Sequence, residues 1–329
     1  MSHEPLLLGI DAGGTSTRAV LTDLRGECLG YGVGGRGNPV SAGAERAADG
    51  VLDAAAAALS AMRRSLSDVS LIAPAMAGMR AAGSPDWLMD RLVAEGFTGR
   101  LVFESDLLAT YFSGAADAFG YAMVSGTGAC VIRVRDGRID GTGDGLGWLL
   151  GDRGSGFWIG AEIARAAVVD LDGTGPRTAL TDSVLAHHGL ARTGVRTAGR
   201  WLELEELVSA LYAHPPIELA GLAPFAFEFA RTDAVAAGIL AEAGEHLADT
   251  LSANLQGPGP LVIGGSVLSR SGPVRDAFLA RLGDAADGLA MRSVGDGAVG
   301  AAMLAIRAAG GEPDAETLAR LSETVAAFR

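Results

Sequence analysis

The sequence predicts an α/β protein built from two related lobes. A chain of 329 residues is long for a single domain, so two lobes are the better expectation. Strand and helix patterns follow one another in the order βββαβα, which is half of a doubly wound α/β architecture. Part of this order recurs about one hundred residues later, starting with a second glycine-rich hairpin. We therefore expect a first lobe over residues 1–116, completed by a helix at 313–329, a second lobe over 117–312, and an active site in the cleft between them.

Each element of the first lobe follows from a pattern of apolar residues. Strands are predicted where short apolar runs lie between turns rich in glycine or polar residues, and helices where Ala, Leu and Val recur at helical spacing. The predicted elements are strands at 6–8, 18–21 and 26–32, a helix at 44–62, a strand at 67–76, a helix at 87–95, a strand at 101–103 and a helix at 107–116.

The second lobe opens as the first does, with a strand that enters a turn of glycines and hydroxyls and then returns. Helices dominate its middle, with a looser polar insertion around 171–181. Its predicted elements are strands at 121–124 and 130–134, a turn at 136–137, helices between 156 and 254, a last strand at 260–263 and an alanine-rich helix at 298–309.

The first hairpin has the composition of a phosphate-binding turn. Gly13, Gly14 and Thr15 join two strand patterns, and glycines let backbone N–H groups approach an anion closely. Asp11 stands at the end of the first strand, where a carboxylate beside a phosphate requires a cation between them, so we expect Mg²⁺ there. A turn without any ligand is the alternative. The similar turn at 125–128 favours two lobes that face one nucleotide.

Asp106 and Asn38 are candidate polar groups of the site. Asp106 stands where an apolar strand ends and a helix begins, the edge at which open α/β sheets bind ligands, so it is a candidate general base. An Asp in that place is equally often an N-cap, and the two roles are compatible. Asn38, before Pro39 in a glycine-rich loop, can bind a sugar hydroxyl or stabilise an Asx turn.

The run from 145 to 160 is the most unusual in the chain, with many glycines beside two tryptophans and an acid. Such a loop suits a polyol, because Asp152 can accept two hydroxyl hydrogen bonds and glycine exposes further backbone groups. Trp148 and Trp158 are alternatively anchors in the core. Residues 264–266, Gly-Gly-Ser after a strand, offer flat backbone against which an adenine ring could lie.

Composition excludes several classes of protein. The formal net charge is −13 with no basic cluster, so neither nucleic acid nor an anionic membrane is expected as a partner. The first strand begins without a signal-peptide pattern and no apolar run approaches membrane-spanning length, which predicts a cytoplasmic protein. Cys28 and Cys130 are expected to be buried small residues. His187 and His188 are expected in an exposed loop, and no histidine pairing indicates a metal.

These motifs resemble those of the BadF/BadG/BcrA/BcrD ATPase family, in the actin-like, sugar-kinase and Hsp70 superfamily, and within it the N-acetylglucosamine kinases. Residues 9–17 resemble the first phosphate motif, 125–128 the second, 264–266 the adenosine motif and 297–301 the closing motif. The run 145–158 resembles the sugar loop of the N-acetylglucosamine kinases. The resemblance implies a two-lobed actin-like (ribonuclease H-like) fold, ATP and Mg²⁺ as cofactors, and a homodimer.

The resemblance also implies a role for each matched residue. Asp106 is the base that removes the proton from the sugar 6-hydroxyl as its oxygen attacks the γ-phosphate, and Asp11 binds the metal. Thr15 and Thr127 hold phosphate. The implied nucleotide-binding residues are Gly13, Gly14, Thr15, Gly126, Thr127, Gly128, Gly264, Gly265 and Ser266, and the implied sugar-binding residues are Asn38, Asp106, Gly145, Leu146, Gly147 and Asp152.

The chain departs from the family pattern after Gly128. Ala129 and Cys130 stand where eukaryotic kinases of the family carry polar, sugar-binding residues, which leaves the sugar open: N-acetylglucosamine, glucosamine, a muramic acid derivative or another hexose. Two other activities are weighed. An ATPase activator of acyl-CoA dehydratases holds an iron–sulfur cluster on closely spaced cysteines, which are missing here. A sugar sensor without turnover is the non-enzymatic alternative, and no DNA-binding segment supports it.

Overall fold

The computed structural model describes residues 4–77 and 86–329, and its strands form two five-stranded mixed sheets and one small hairpin. The strands are β1 (Leu6–Ala12), β2 (Thr17–Thr22), β3 (Cys28–Gly34), β4 (Val69–Met76), β5 (Arg100–Leu101), β6 (Gly120–Ser125), β7 (Ala129–Arg135), β8 (Arg138–Asp144), β9 (Arg196–Thr197), β10 (Arg200–Trp201), β11 (Gly259–Gly264) and β12 (Leu289–Ser293).

The two large sheets share one topology. The first has the strand order β3-β2-β1-β4-β5 and the second the order β8-β7-β6-β11-β12. In each sheet the first three strands of the lobe form an antiparallel meander, and two later strands join it in parallel. The predicted βββαβα order and its partial repetition are therefore confirmed, and the third strand of the second lobe, β8, is an addition to the prediction. Each glycine-rich hairpin joins the first two strands of its sheet.

Twelve α-helices of the described residues cover and separate these sheets. They are α1 (Pro39–Ala42), α2 (Ala44–Ser60), α3 (Asp86–Ala94), α4 (Asp106–Gly114), α5 (Gly156–Asp172), α6 (Leu180–His187), α7 (Leu202–Ala213), α8 (Ala223–Phe229), α9 (Ala234–Ser252), α10 (Pro273–Leu282), α11 (Ala298–Ala308) and α12 (Ala315–Ala326), with short 3-10 turns at Leu66–Asp68, Pro216–Leu222 and Gly283–Gly288.

Three predictions about local structure are wrong. The strand at 260–263 is not the last, because β12 pairs in parallel with β11; β12 is an edge strand of which only Leu289 is buried, so its apolar signal is weak. His187 ends α6 rather than lying in a loop, and His188 is half-buried, with Nε2 out of contact with solvent. Trp148 is 44% exposed and is no core anchor, whereas Trp158 packs against the core of the second lobe.

Alanine and glycine are abundant because helices lie unusually close to strands. A Cβ on Gly30, Gly32 or Gly34 of β3 would lie 2.0, 2.1 or 2.2 Å from a carbonyl oxygen of α2. The alternate glycines therefore form a flat surface on which the alanine-rich α2 packs, and no larger side chain fits there. This contact encloses the outer core of the first lobe.

Helices α4 and α11 lie between the two sheets. The middle hydrophobic core joins their residues to β1 and β4 of the first sheet and to β6, β7 and β11 of the second. A Cβ on Gly300 of α11 would lie 1.8 Å from the carbonyl oxygen of Ala109 on α4, so the two helices touch backbone to backbone. The helix predicted at 313–329 is α12, and it also contributes Leu321 and Val325 to this middle core. The lobe boundaries themselves stay a prediction. None of the helices in the two described ranges combines the length and apolarity needed to cross a bilayer.

Candidate active site

The first hairpin presents its turn at the end of β1. Asp11 pairs with Arg18 and Ala12 with Thr17 across the two strands, and the N–H of Gly13 donates to the carbonyl of Ser16 at 3.1 Å. Gly14 and Thr15 are exposed at the tip. The turn therefore offers backbone N–H groups and a hydroxyl to an incoming anion.

Asp11 lies at the N-terminus of α11. Its Oδ2 accepts a hydrogen bond from the Gly297 N–H at 2.9 Å, and Oδ1 makes none within the part of the chain that the structure describes. Burial raises the pKa of Asp11 to about 6, the Gly297 N–H opposes this shift, and the nearby carboxylates of Asp296 and Asp106 add to it. A buried carboxylate with one free oxygen and an elevated pKa is suited to a cation.

The donor set around Asp11 fits a metal held jointly with phosphate. Within residues 4–77 and 86–329, no group of three or more His, Cys, Asp or Glu side chains is arranged to hold a metal ion. Mg²⁺ is commonly bound by one or two carboxylates together with substrate phosphates and waters, rather than by a cage of protein ligands. Asp11 beside a phosphate-type turn meets that requirement.

Asn38 is tied to the first hairpin. Its backbone N–H and that of Gly37 both donate to the carbonyl of Gly13, at 3.2 and 3.1 Å. Its Oδ1 accepts from the Val40 N–H at 2.9 Å and caps α1. The predicted alternative, an Asx-type turn, is therefore the role of this oxygen. The side-chain NH₂ is left without a hydrogen bond to any described residue and can donate to a ligand.

The second hairpin rests on the N-terminus of α5. The N–H groups of Gly156 and Phe157 donate to the carbonyls of Gly126 and Thr127, at 2.7 and 3.1 Å. Thr127 is exposed at the tip of the turn, as Thr15 is in the first hairpin. The positive end of the α5 dipole therefore points at a turn that presents a hydroxyl, which favours an anion.

A cavity of about 390 Å³ adjoins this hairpin. Gly126 and Thr127 line one side and Ser266 another, together with Pro224 and Phe227 from α8 and the arginines of the α10 region. Gly265 has φ of +84°, and a Cβ there would lie 2.3 Å from the carbonyl oxygen of Ser125. The Gly264–Gly265–Ser266 turn is thus pressed against the second hairpin, and the two motifs form one pocket. Arg270 and Arg275 also line it.

Asp106 is the first residue of α4, and Ser105 occupies the N-cap position. The N-cap alternative for Asp106 is therefore wrong. Burial raises the pKa of its carboxyl, and the nearby backbone N–H groups of Leu107 and Asp106 oppose that shift without cancelling it. A half-buried carboxylate with a raised pKa has the properties required of a general base.

Asp106 and two aspartates of the sugar-loop region all influence the pKa of the Cys130 thiol. Burial raises the pKa of Cys130 to about 12, and the carboxylates of Asp106, Asp144 and Asp152 raise it further, in that order. A Cβ added to Gly145 would lie 2.9 Å from Sγ of Cys130. Asp106, Asp144 and Asp152 therefore all act electrostatically on this half-buried thiol, and Gly145 of the loop packs against it. The expectation that Cys130 is fully buried is wrong, while Cys28 is buried.

Two aspartates fix the loop at 145–151. Asp144 ends β8, and its carboxylate accepts from the N–H of Asp152 at 2.6 Å and of Arg153 at 3.0 Å. Asp152 is only 7% exposed, and its Oδ1 accepts from the Ala129 N–H at 3.0 Å. The loop is therefore closed at its base by Asp144 and attached to the second hairpin by Asp152. Between these ties Leu146, Leu149 and Leu150 are exposed.

Three residues near the site, Asp144, Asp296 and Arg18, were not identified from the sequence. Asp144 is marked only by the glycine that follows it. Asp296 precedes Gly297 and accepts from Arg18 at 3.2 Å and from Arg329 at 2.8 Å. Arg18 thus holds a guanidinium at the base of the first hairpin, where it also donates to Ser16. No spacing rule connects residues 18 and 296, because they meet only through the packing of α11 on β1.

Fold and site together define a two-lobed actin-like ATPase fold with two glycine-rich hairpins and a group of neighbouring carboxylates. Residues 8–305 match the family model described as the BadF/BadG/BcrA/BcrD ATPase family. The chain belongs to that family, as the motifs at 9–17, 125–128 and 264–266 suggested.

Named relatives extend over most of the chain. A protein of Dictyostelium discoideum named N-acetyl-D-glucosamine kinase is 27% identical over 335 residues, which cover 93% of this chain and 99% of that protein. The glucosamine kinase GspK of Vibrio cholerae is 29% identical over 180 residues, 55% of this chain and 60% of that protein. The crystal structure of a candidate N-acetylglucosamine kinase from Chromobacterium violaceum superimposes with a TM-score of 0.73 at 25% identity, covering 92% of this chain and 99% of that one.

Proposed function

We propose that this protein transfers the γ-phosphoryl group of ATP to the 6-hydroxyl of an amino sugar, N-acetylglucosamine or glucosamine. The coarser statement, an ATP-dependent sugar kinase, follows from family membership and from the named relatives. Transfer to a sugar hydroxyl is supported by one observation: Asp106 and the two aspartates that close the sugar loop all act electrostatically on the Cys130 thiol. The amino-sugar preference is inferred from the named relatives. A sugar held by the loop is proposed to lie within reach of Asp106.

The proposed reaction needs little covalent chemistry from the protein. Asp106 accepts the proton of the sugar hydroxyl, the hydroxyl oxygen forms a bond to the γ-phosphorus, and the bond from that phosphorus to the β–γ bridging oxygen breaks to release ADP. Phosphoryl transfer depends mainly on the positioning of both substrates and on neutralisation of charge. Thr15 and Thr127, at the tips of the two hairpins, are proposed to hold the phosphates from opposite sides.

Each substrate is assigned to a described part of the cleft. The nucleotide is proposed to occupy the 390 Å³ cavity, with Ser266 and its glycines against the adenosine and residues 126–128 against the phosphates. Mg²⁺, held by Asp11, would supply charge neutralisation when bound. The sugar-binding residues are proposed to be Asn38, Gly145, Leu146, Gly147 and Asp152, beside Asp106.

A homodimer is proposed from the family resemblance. Leu149 and Tyr212 are 73% and 89% exposed and line one surface depression of the second lobe together with Trp148. Apolar side chains grouped on a surface in this way are typical of a protein interface. Light scattering of the purified protein measures the mass directly.

The test of the proposed function is a screen for ADP release with purified protein, ATP and Mg²⁺. The panel contains N-acetylglucosamine, glucosamine, N-acetylmuramic acid, glucose and a control without sugar. We expect release with N-acetylglucosamine or glucosamine, and a product in which the 6-oxygen carries phosphate by NMR; release with N-acetylmuramic acid or glucose alone would indicate a kinase of different specificity. Sugar binding without ADP release would indicate a sensor, and a stoichiometric iron–sulfur cluster after anaerobic purification would indicate a dehydratase activator.

A further inference from the structure

One side-chain contact to helix α9 holds the segment that follows Asp152. Nη2 of Arg153 lies 2.7 Å from Nδ1 and 3.2 Å from Nε2 of His246 on α9. The side chain of His246 is only 13% exposed and stands edge to face with Trp158, with ring centroids 5.0 Å apart. The residue next to the sugar-loop carboxylate is therefore anchored to a histidine of a different element.

The backbone of this segment also lies directly on α9. Gly154 has φ of +80°, and a Cβ there would lie 2.4 Å from the carbonyl oxygen of Ala243. A Cβ added to the neighbouring Gly244 would lie 2.3 Å from the carbonyl oxygen of Val274, and Val274 lines the nucleotide cavity. Helix α9 is thus a support shared by the sugar loop and by a wall of the nucleotide pocket.

The protonation state of His246 decides whether the side-chain contact can form. A guanidinium is always charged and only donates hydrogen bonds, so the ring must supply a lone pair. Burial and the charge of Arg153 lower the pKa of His246, whereas Glu242 and Asp249 on α9 raise it. Glu242 lies 3.4 Å from Nε2, and Asp249 is itself paired with Arg281 of α10 at 2.8 Å. The ring is therefore neutral at neutral pH and becomes charged only in acid.

We propose that neutral His246 is a positioning residue for the sugar site: it accepts a hydrogen bond from Arg153 and thereby keeps Asp152 against the second hairpin. This inference rests on the proposed function and adds a residue to it. A protonated ring carries a positive charge against the guanidinium, so the contact breaks, the loop at 145–154 loosens and sugar binding weakens. The phosphates and Asp106 do not contact His246, so the effect falls on the KM for the sugar rather than on kcat.

The test compares His246→Ala with His246→Asn, because an Asn oxygen can replace Nδ1 as the acceptor but cannot be protonated. For His246→Ala we expect the sugar KM to rise about three- to tenfold at pH 7.5, with kcat and the KM for ATP within about twofold. For His246→Asn we expect a sugar KM near the wild-type value. Between pH 7.5 and 5.5 the sugar KM of the wild type should rise more steeply than that of His246→Asn. His187→Ala, at the exposed end of α6, is the matched control and should change neither value.

Hydrogen exchange of the enzyme without substrates gives a second readout. Amides of residues 145–154 should exchange faster in His246→Ala than in the wild type or in His246→Asn. Equal exchange and equal sugar KM in all three proteins would overturn the proposal, as would a loss of kcat, ATP binding and thermal stability together in His246→Ala. Wild-type protein that phosphorylates no sugar would instead contradict the proposed function, while the exchange comparison would still decide the role of His246.

Discussion

At the scale of single residues, burial gives the two carboxylates of the cleft different tasks. Burial raises the pKa of Asp106, and nearby backbone N–H groups oppose the rise; a raised pKa favours the uptake of a proton. Burial also raises the pKa of Asp11, to about 6, and one oxygen of Asp11 accepts a hydrogen bond from Gly297. A carboxylate in that condition gains most from a cation beside it.

The first prediction concerns Asp106. In Asp106→Asn the amide preserves shape and some hydrogen bonding but cannot accept the proton, so kcat should fall by about 10² or more. Sugar affinity should stay within an order of magnitude, because the sugar loop and Asn38 are unchanged. Steady-state kinetics and calorimetric sugar binding measure the two effects separately. Turnover near the wild-type rate would remove Asp106 from the role of base.

The second prediction concerns the pH dependence that Asp11 imposes. Its pKa is raised from 3.8 to about 6, so the metal-free protein is stabilised by the proton below about pH 4 and loses that contribution as the pH rises through 6. Asp11→Asn removes the cost of the charge and should unfold about 1–3 °C higher than the wild type at pH 7.5 without metal. That difference should vanish near pH 4.

The control for Asp11 is Mg²⁺. Metal should raise the unfolding temperature of the nucleotide-bound wild type at pH 7.5 and leave that of Asp11→Asn unchanged. Mg²⁺-dependent turnover should be lost in the variant. In the wild type, turnover should decrease when the pH is lowered below about 6. A variant that is less stable than the wild type at neutral pH, or that still responds to the metal, would refute the assignment.

At the scale of elements, the packing of α4 on α11 brings the two carboxylates together. Asp106 is the first residue of α4, and Asp11 accepts from the residue before α11. The helices touch at Gly300, whose N–H also donates to Ser113 at 2.8 Å. The separation of the proposed base and the proposed metal ligand therefore depends on a glycine contact in the middle core, about one turn from the N-terminus of each helix.

The third prediction follows from that contact. A methyl group at position 300 would lie 1.8 Å from the Ala109 oxygen, so Gly300→Ala must push α11 from α4 and should destabilise the protein by about 2 kcal/mol or more. Turnover should fall as well, because both helix N-termini move. Gly238→Ala is the matched control: Gly238 lies inside α9 with no atom within 4 Å of the added Cβ, and should gain about 0.5–1 kcal/mol. Equal stability of the two variants, by chemical denaturation, would show that the contact is relaxed.

Elements were more predictable than the contacts between them. The hairpins, the alanine-rich α2 and the helix at 298–308 could be read from local glycine and apolar patterns, since each pattern lies within one element. Edge strand β12 was missed because one buried residue leaves little periodicity. The ties made by Asp144, Asp296 and His246 were not predictable, because each joins groups brought together only by tertiary packing. Asn38 is an example: the sequence indicated its glycine-rich loop, but not the hydrogen bond from its backbone N–H to the carbonyl of Gly13.

At the scale of the whole molecule, duplication gives each sheet an equivalent glycine-rich turn, and the proposed site uses both turns. Both sheets have the same strand order, and each presents a hydroxyl at the tip of its first hairpin. The residues proposed to bind sugar are divided in the same way: Asn38 is tied to the first hairpin and Asp152 to the second. A sugar and a nucleotide bound together would therefore contact both lobes.

The last prediction is that binding of both substrates draws the lobes together. Closure would exclude water and so limit ATP hydrolysis, which competes with transfer to the sugar. A compact chain of this length has a radius of gyration of about 20 Å, and we expect X-ray scattering to show a decrease of about 0.5–1 Å with sugar and nucleotide together. Asp106→Asn allows ATP itself to be used, because it binds both substrates but turns over slowly. Asp152→Ala, in which the sugar loop loses its tie to Ala129, should stay open under the same conditions. An unchanged radius in Asp106→Asn, at concentrations that calorimetry shows to be saturating, would mean that the cleft is already closed around its site and that water must be excluded by the sugar loop alone.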